Sequence, residues 1–467
     1  MYTLEYCRQV FVGREAELEL LIAQYESRKS AFVPIYGRRR IGKSELIRRF
    51  VSGRPAVYHV GRLAPAELLI RDFSRQLARL LDEPHIADLP GDTWRRPLEL
   101  LSRWQGNGKL IVVLDEFQWT AQSSAGLQGL LQELWDHHWR DSGRIFLILC
   151  GSYVGFMERE VLGARAPLFG RRTAQIRLRP LSYREAAQFY PRWSLQHRAE
   201  AYFICGGIPA YLESFNDARS VETNIRDVLL QELGVLRREP EFLLREELRE
   251  VERYYAVLLA IASGHHSARG IGIQAGMAEH GGVQYYLQQL IELHYVGKRY
   301  PLTGRQPKRT EVRYALEDPL LRFWFRFVFP NESDLQHNSA GAALRNRIRP
   351  GLSSYYGSCF ERLCREALPH LYQRERVMAK FDIGEYWNKN VQIDVVGLRY
   401  DGWTDLGECK WGTIRSTRAL VEEIRGKAAH FPNQRGASIG LRAFVRSKPR
   451  GTTDAIRWHD LVDLYEL

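Results

Sequence analysis

The sequence predicts an α/β protein organised around a parallel sheet, and three stretches carry that expectation. A glycine-rich loop at Gly37–Ser44 joins an apolar strand to a helix, and two more continuous apolar runs, Leu110–Leu114 and Ile145–Cys150, end in acidic or small polar residues. Runs of that kind are apolar on both faces, as strands buried in a parallel sheet must be. At 467 residues the chain is too long for one ordinary core, so about two to four domains are expected. Its 45% hydrophobic and 12% aromatic content supports packed structure rather than disorder.

The loop reads Gly37-Arg38-Arg39-Arg40-Ile41-Gly42-Lys43-Ser44, which has the form G-x-x-x-x-G-K-S. Its glycines let backbone N–H groups turn inward onto phosphate oxygens. Lys43 can reach the β- and γ-phosphates, and the Ser44 hydroxyl can occupy a Mg²⁺ ligand position. The strand-like run Ala31–Tyr36 precedes it and Glu45–Phe50 follows with helical spacing, so the helix start aims its positive end at the ligand. A nucleotide with Mg²⁺ is therefore the expected ligand pair.

Hydrolysis needs more than binding. Asp115, at the end of the strand Leu110–Leu114, is placed to hold Mg²⁺ through water, and Glu116 beside it to polarise the attacking water. The strand Ile145–Cys150 leads to Ser152, which either senses the γ-phosphate or caps the following helix. Arg171 and Arg172 either neutralise transition-state charge in a neighbouring subunit or serve structure alone.

Four segments together resemble the archaeal-type ATPases of the signal-transduction (STAND) branch of the AAA+-like P-loop proteins. They are Phe11-Val12-Gly13-Arg14-Glu15, the Gly37–Ser44 loop, Val113–Phe117 and Gly206-Gly207-Ile208-Pro209. The resemblance implies that Gly13 and Arg14 lie beside the base and ribose. It also implies that Gly207 and Pro209 press on the nucleotide from a helical lid, and that the protein is an ATP-specific switch, with ATP and Mg²⁺ as cofactors, that changes shape or forms homo-oligomers with nucleotide state.

Beyond a charged helical stretch, the helix Tyr254–Ala262, a small helix near Ile273 and an amphipathic helix from Val283 to Tyr295 lead into two short strands. Helices followed by such a hairpin read as a winged helix. The wing carries Lys298, Arg299, Arg305, Lys308, Arg309 and Arg313, either a phosphate-contacting strip or a solvated tip. The aromatic run Asp318–Val328 reads as an interdomain helix that buries its rings rather than a base-stacking platform.

In the last part, a helix Tyr356–Leu371 containing Glu361 precedes three strands. Asp394 stands on the second, and Glu408 and Lys410 share one face of the third. Metal-assisted phosphodiester cleavage asks for this set: Asp394 and Glu408 hold Mg²⁺, Glu361 completes the carboxylates, and Lys410 orients water or stabilises the pentavalent oxygens. Asp394, thirteen intervening residues and Glu408-Cys409-Lys410 resemble the PD-(D/E)XK nuclease superfamily, the restriction-endonuclease fold, with Ile393 where the family has proline. Glu423 and Lys427 on the next helix are weaker helpers. An inactive fold retained for binding is the alternative.

The expected domains are an ATPase core over 1–205, a helical lid over 206–248, a winged helix over 249–318, a helical linker over 319–350 and a nuclease-like α/β domain over 351–467. Lys plus Arg number 67 against 55 for Asp plus Glu, and the resulting +12 suits a polyanion such as DNA. The start Met1–Tyr6 is no signal peptide, and no apolar stretch is long enough to span a membrane. The six cysteines lack metal-ligand spacing, and several sit in apolar runs, which suits a reduced cytoplasmic protein. His137 and His138 lack metal-ligand partners in the sequence and are read as structural. Two functions fit: an ATPase switch controlling a Mg²⁺-dependent DNA nuclease, or a nucleotide-gated scaffold that binds DNA or protein and cuts nothing.

Overall fold

The computed structural model describes residues 11–277 and 282–466. Cys7 and Met1–Tyr6 lie outside the described residues, as does the side chain of Arg309. The chain forms two compact units: one runs to Leu181 and includes Ile208–Ala210, and the other holds Ser182–Gly207 and everything from Tyr211 onward.

The first unit is built on five strands, β1 (Ala31–Tyr36), β2 (Ala56–Val60), β3 (Leu110–Asp115), β4 (Ile145–Gly151) and β5 (Ile176–Arg177), in the order β2-β3-β4-β1-β5. All four pairings are parallel. Every residue of β1, β3 and β4 is buried, so the continuous apolar runs mark the sheet's centre. Leu69, Phe73, Trp94, Leu131 and Trp135 pack with Phe32, Val112 and Leu147 in one core.

The second unit groups residues 182–207 with the C-terminal part of the chain rather than with the nucleotide-loop sheet. Polar and ring contacts explain this: Tyr202 Oη donates to Glu366 at 2.9 Å, and the Phe203 and Trp411 rings lie 5.2 Å apart. The helices Val251–Ala262, Ala268–Gln274 and Val283–Glu292 lead to an antiparallel ribbon of β6 (Val296–Arg299) and β7 (Arg313–Leu316). The aromatic run buries Phe323, Trp324, Phe325 and Phe327, and the Trp324 indole N–H donates to the Arg237 carbonyl at 2.9 Å. These rings are core, not a stacking platform.

The helix containing Glu361 spans Arg349–Arg374, longer at both ends than the sequence pattern indicates, and continues past Pro369. Burial of Leu368, Leu371 and Tyr372 holds the last turns despite the N–H that proline lacks. Five strands follow: β8 (Phe381–Trp387), β9 (Gln392–Arg399), β10 (Trp403–Lys410), β11 (Ser438–Val445) and β12 (Arg457–His459). Their order is β12-β11-β10-β9-β8; β8, β9 and β10 run antiparallel, while β10, β11 and β12 run parallel. The helix Thr417–Ala429 connects β10 to β11. Among the described residues no helix is long and apolar enough to cross a membrane.

Candidate functional site

The phosphate loop leaves β1 at Gly37 (φ 154°), and its second glycine, Gly42, has φ 89°. A Cβ at Gly37 would lie 2.5 Å from both Ile41 Cδ1 and the Leu178 carbonyl, so only glycine fits there. Arg40 takes the left-handed turn position at φ 65°, and Ile41 is fully buried beneath the loop. The Arg38 carbonyl accepts from Lys43 Nζ at 2.8 Å and the Gly37 carbonyl at 2.9 Å. Burial pulls the Lys43 ammonium below its usual range, while Cys150, Glu116 and Asp115 oppose that shift.

The acids stand where the strand pattern puts them. Ser44 Oγ donates to Asp115 Oδ2 at 2.9 Å, and Tyr58 Oη from the adjacent β2 donates to the same oxygen at 2.6 Å. Glu116 follows β3 in the left-handed region at φ 48°, a conformation that costs a non-glycine residue about 1 kcal/mol. Ser152 Oγ donates to Glu116 Oε2 at 2.7 Å, and Gln118 Nε2 donates to that oxygen too. The helix after β4 has Tyr153 at its N-cap with no side-chain cap bond, so Ser152 is not the cap but a partner of Glu116.

Arg14 is buried, donating to the Ile41 carbonyl at 3.2 Å and the Arg179 carbonyl at 2.7 Å, which ties the segment bearing Gly13 (φ 65°) to the loop. Pro209 approaches the loop: its Cγ is 3.9 Å from where a Cβ on Gly42 would stand. Gly207 is buried just before it. Arg171 is pinned within its own unit. Its guanidinium meets Asp136 at 2.7 Å and donates to the Pro167 carbonyl at 2.8 Å, which favours the structural alternative for Arg171 over a role in a neighbouring subunit. Arg172 is exposed. His59, which the sequence pattern does not single out, is buried with both ring nitrogens unpartnered, and burial lowers it to about 4.

The second centre lies in the C-terminal sheet. Asp394 on β9 accepts from the Cys409 N–H of β10 at 3.0 Å through Oδ2, and both Asp394 and Glu408 are buried. Glu408 Oε1 receives Lys410 at 2.9 Å and Lys427 at 2.6 Å, while Lys410 also reaches Glu423 at 2.9 Å. The two residues read as weaker helpers are therefore in direct contact with the expected pair. Glu408 Oε2 is buried without a hydrogen-bond partner. Among the described residues, however, no three carboxylate, imidazole or thiol groups converge as a metal site. The expected trio of Glu361, Asp394 and Glu408 is not closed, and two ammonium groups occupy one oxygen of Glu408.

Burial raises Asp394 and Glu408, and burial beside Asp394 pushes Glu361 up to about 8. A carboxyl that titrates near 4.5 unfolded and near 8 folded keeps its proton longer in the folded chain, so stability falls as pH rises between those values. Glu361→Gln is expected to flatten that fall. Thermal midpoints at about pH 5 and pH 8.5 should differ less in the variant than in the wild type, and an unchanged difference would refute this assignment.

The expected wing strip is partly engaged. Arg299 pairs with Glu317 at 2.7 Å, Arg305 with Glu311 at 2.6 Å, and Arg313 stacks 4.4 Å from the Trp387 ring centroid. Lys298 and Lys308 are exposed.

A family described as an ATPase domain predominantly from Archaea matches residues 11–215, and one described as archaeal and bacterial proteins of unknown function matches residues 324–422. The second match includes Glu361, Asp394, Glu408 and Lys410. An uncharacterized protein of Methanocaldococcus jannaschii is 30% identical over 427 residues, which cover 90% of this chain and 92% of that protein. A Walker-type ATPase of Pyrococcus abyssi aligns over 68% of this chain and 97% of its own, with 21% identity and a TM-score of 0.53, a likeness of fold. The ORC2 protein of Aeropyrum pernix, solved in ADPNP and ADP complexes, covers 73% of this chain and 98% of its own at 18% identity and a TM-score of 0.44.

Proposed function

The chain belongs to the family of archaeal ATPases that carry this C-terminal domain, and on that footing we propose that it is a STAND-type switch whose nucleotide state controls a Mg²⁺-dependent DNA nuclease. The observation that supports the reading is a complete phosphate loop and, far along the same chain of net charge +12, the charged set Asp394, Glu408 and Lys410.

At the first centre, the N–H groups of residues 37–44 and the Lys43 ammonium would bind the phosphates. Ser44 and Asp115, already 2.9 Å apart, would hold Mg²⁺. Glu116, aligned by Ser152, would take the proton of the attacking water, and loss of the γ-phosphate would free that Ser152–Glu116 pair to shift. Gly13 and Arg14 would flank the nucleoside, with Gly207 and Pro209 closing from the lid. Arg172 is left as the exposed guanidinium for a neighbouring copy in a homo-oligomer.

At the second centre, Asp394, Glu408 through its unpartnered Oε2, and Glu361 would hold a divalent cation only after drawing together, and the cation would supply Lewis acidity toward phosphodiester oxygens when bound. Lys410 would then turn from Glu408 to the substrate, orienting water or steadying the developing charge. The order of helix, antiparallel meander, helix and parallel strand supports the PD-(D/E)XK reading. Buried thiols at Cys150, Cys205, Cys359 and Cys364 suit a reducing, cytoplasmic setting.

The test is Mg²⁺-dependent cleavage of plasmid DNA, with and without ATP. Wild-type protein is expected to cut, Asp394→Ala and Lys410→Ala to lose cutting, and Lys43→Ala to lose its dependence on ATP. Cleavage that survives both C-terminal substitutions in purified protein would sink the nuclease assignment.

One observation favours a second reading. Lys410 and Lys427 both rest on Glu408 Oε1, as they would in a nucleotide-gated DNA- or protein-binding scaffold with an inactive fold. That reading predicts an ATP-dependent change in mass or shape and no product from any nucleic acid.

A further inference from the structure

Within the second unit lies a cavity of about 680 Å³ whose wall holds six arginines, Arg299, Arg313, Arg322, Arg326, Arg362 and Arg365, against two acids, Glu361 and Glu385. A second hollow of about 560 Å³ adjoins it and shares Arg322, Arg362 and Arg365. The arginines come from distant parts of the sequence: the β6–β7 ribbon, the aromatic helix and the long helix bearing Glu361.

The internal compensation of these charges is incomplete. Arg322 Nε is buried with no hydrogen-bond partner, and its NH1 reaches the Leu316 carbonyl only at 3.5 Å. Arg362 reaches Glu317 at 3.5 Å, and Arg365 reaches Glu385 at 3.8 Å. Burial, with the like charge of Arg322, pulls Arg362 down to about 9, still protonated at neutral pH. Gathered guanidiniums repel one another, and an oxyanion between them would offset that cost while taking up the unmet N–H groups. Their planar forks pair bidentately with oxyanions, and several of them gathered together suit a phosphate, with its larger charge and several oxygens, better than a halide.

The cavity also has a direction. Glu361 lies in its wall, and Arg365 NH1 donates to the backbone carbonyl of Asp394, so one side of the hollow is the other side of the carboxylate centre. Tyr314 and Tyr355 line it as well.

We propose that this arginine-lined cavity seats the phosphodiester backbone of a nucleic-acid strand and leads it to the carboxylate centre. The inference deepens the nuclease reading and rests on it for its purpose, but binding does not require cleavage. Free polyphosphates carry the same oxyanion chemistry, so the experiment separates the two sources.

The probe is a fluorescein-labelled thymidine tetranucleotide, followed by anisotropy in EDTA with full-length Lys43→Ala protein, in which the phosphate loop is disabled. Arg362→Gln is expected to weaken binding by about 10- to 100-fold. Arg326→Gln, at an exposed position where folding is undisturbed, should weaken it less and flatten its salt dependence. Unchanged affinity in both arginine variants overturns the proposal. Displacement by equimolar pyrophosphate overturns the strand assignment in favour of a free-phosphate site. Arginine-dependent binding without any cleavage by wild-type protein upholds the seat and removes the nuclease reading alone.

Discussion

Replacing Lys43 with alanine is expected to lower the rate of ATP hydrolysis by roughly 100- to 1,000-fold, the range seen when one preorganised donor to a developing charge is removed. Lys43 is 5% exposed, and its ammonium is held 2.9 and 2.8 Å from the Gly37 and Arg38 carbonyls. Those two carbonyls aim the ammonium along the loop, in the direction from which the β- and γ-phosphates would be approached. In this dry setting a positive charge interacts with a phosphate far more strongly than it would in water. Arginine is a poor replacement, since its longer planar group would collide with the loop that encloses Lys43. Steady-state phosphate release, with circular dichroism to show that the variant is folded, provides the check. A variant that hydrolyses ATP at the wild-type rate would remove this loop from the chemistry.

The second large effect concerns stability. Arg442 on β11 is fully buried and bridges elements far apart in sequence: NH1 and NH2 donate to Glu375 at 2.6 and 2.7 Å, and Nε lies 3.0 Å from Asp405 Oδ1. The last contact is an ion pair whose angle falls short of a hydrogen bond, and Nε accordingly has no other partner. Tyr372 Oη donates to the other Asp405 oxygen at 2.7 Å. Arg442→Met fills similar volume but leaves Asp405 in the sheet interior with only Tyr372 and a weak ion pair to Arg399 at 3.8 Å. Removal of one partner from a buried charge pair costs about 3–5 kcal/mol, because the surviving charge stays desolvated. The expected result is a fall of that size in unfolding free energy, read from the urea midpoint of the C-terminal transition. The double variant Arg442→Met/Asp405→Leu should recover much of it. A single variant within about 0.5 kcal/mol of wild type would show that the network contributes nothing.

Much of the first centre was legible because its chemistry is consecutive. Gly37 to Ser44 must curl and bind within eight residues, so the pattern is visible without neighbours. The central strands were equally plain, since burial on both faces writes itself as unbroken apolar runs. In the last domain, the two-residue period of β10 put Glu408 and Lys410 on one face, as their 2.9 Å contact bears out. Other parts left no local mark. Tyr58 and Gln118 reach Asp115 and Glu116 through sheet pairing and a helix turn, and nothing in their own segments distinguishes them from structural polar residues. The tie of Arg171 to Asp136, thirty-five positions away, was hidden for the same reason.

What the sequence determined by itself is therefore the phosphate loop, the acids at strand ends, the parallel sheet and the order of elements around Asp394, Glu408 and Lys410. Each depends on backbone geometry and side-chain periodicity within a short window, where covalent connection does the positioning. The tertiary structure alone decided that Ser152 holds Glu116, that two lysines converge on Glu408, and that Arg322, Arg362 and Arg365 crowd one cavity. Those are contacts between charges distant along the chain. Which charges meet depends on how the helices and sheets pack, and packing is set by the apolar residues between them, whose pattern says nothing about the partners they bring together.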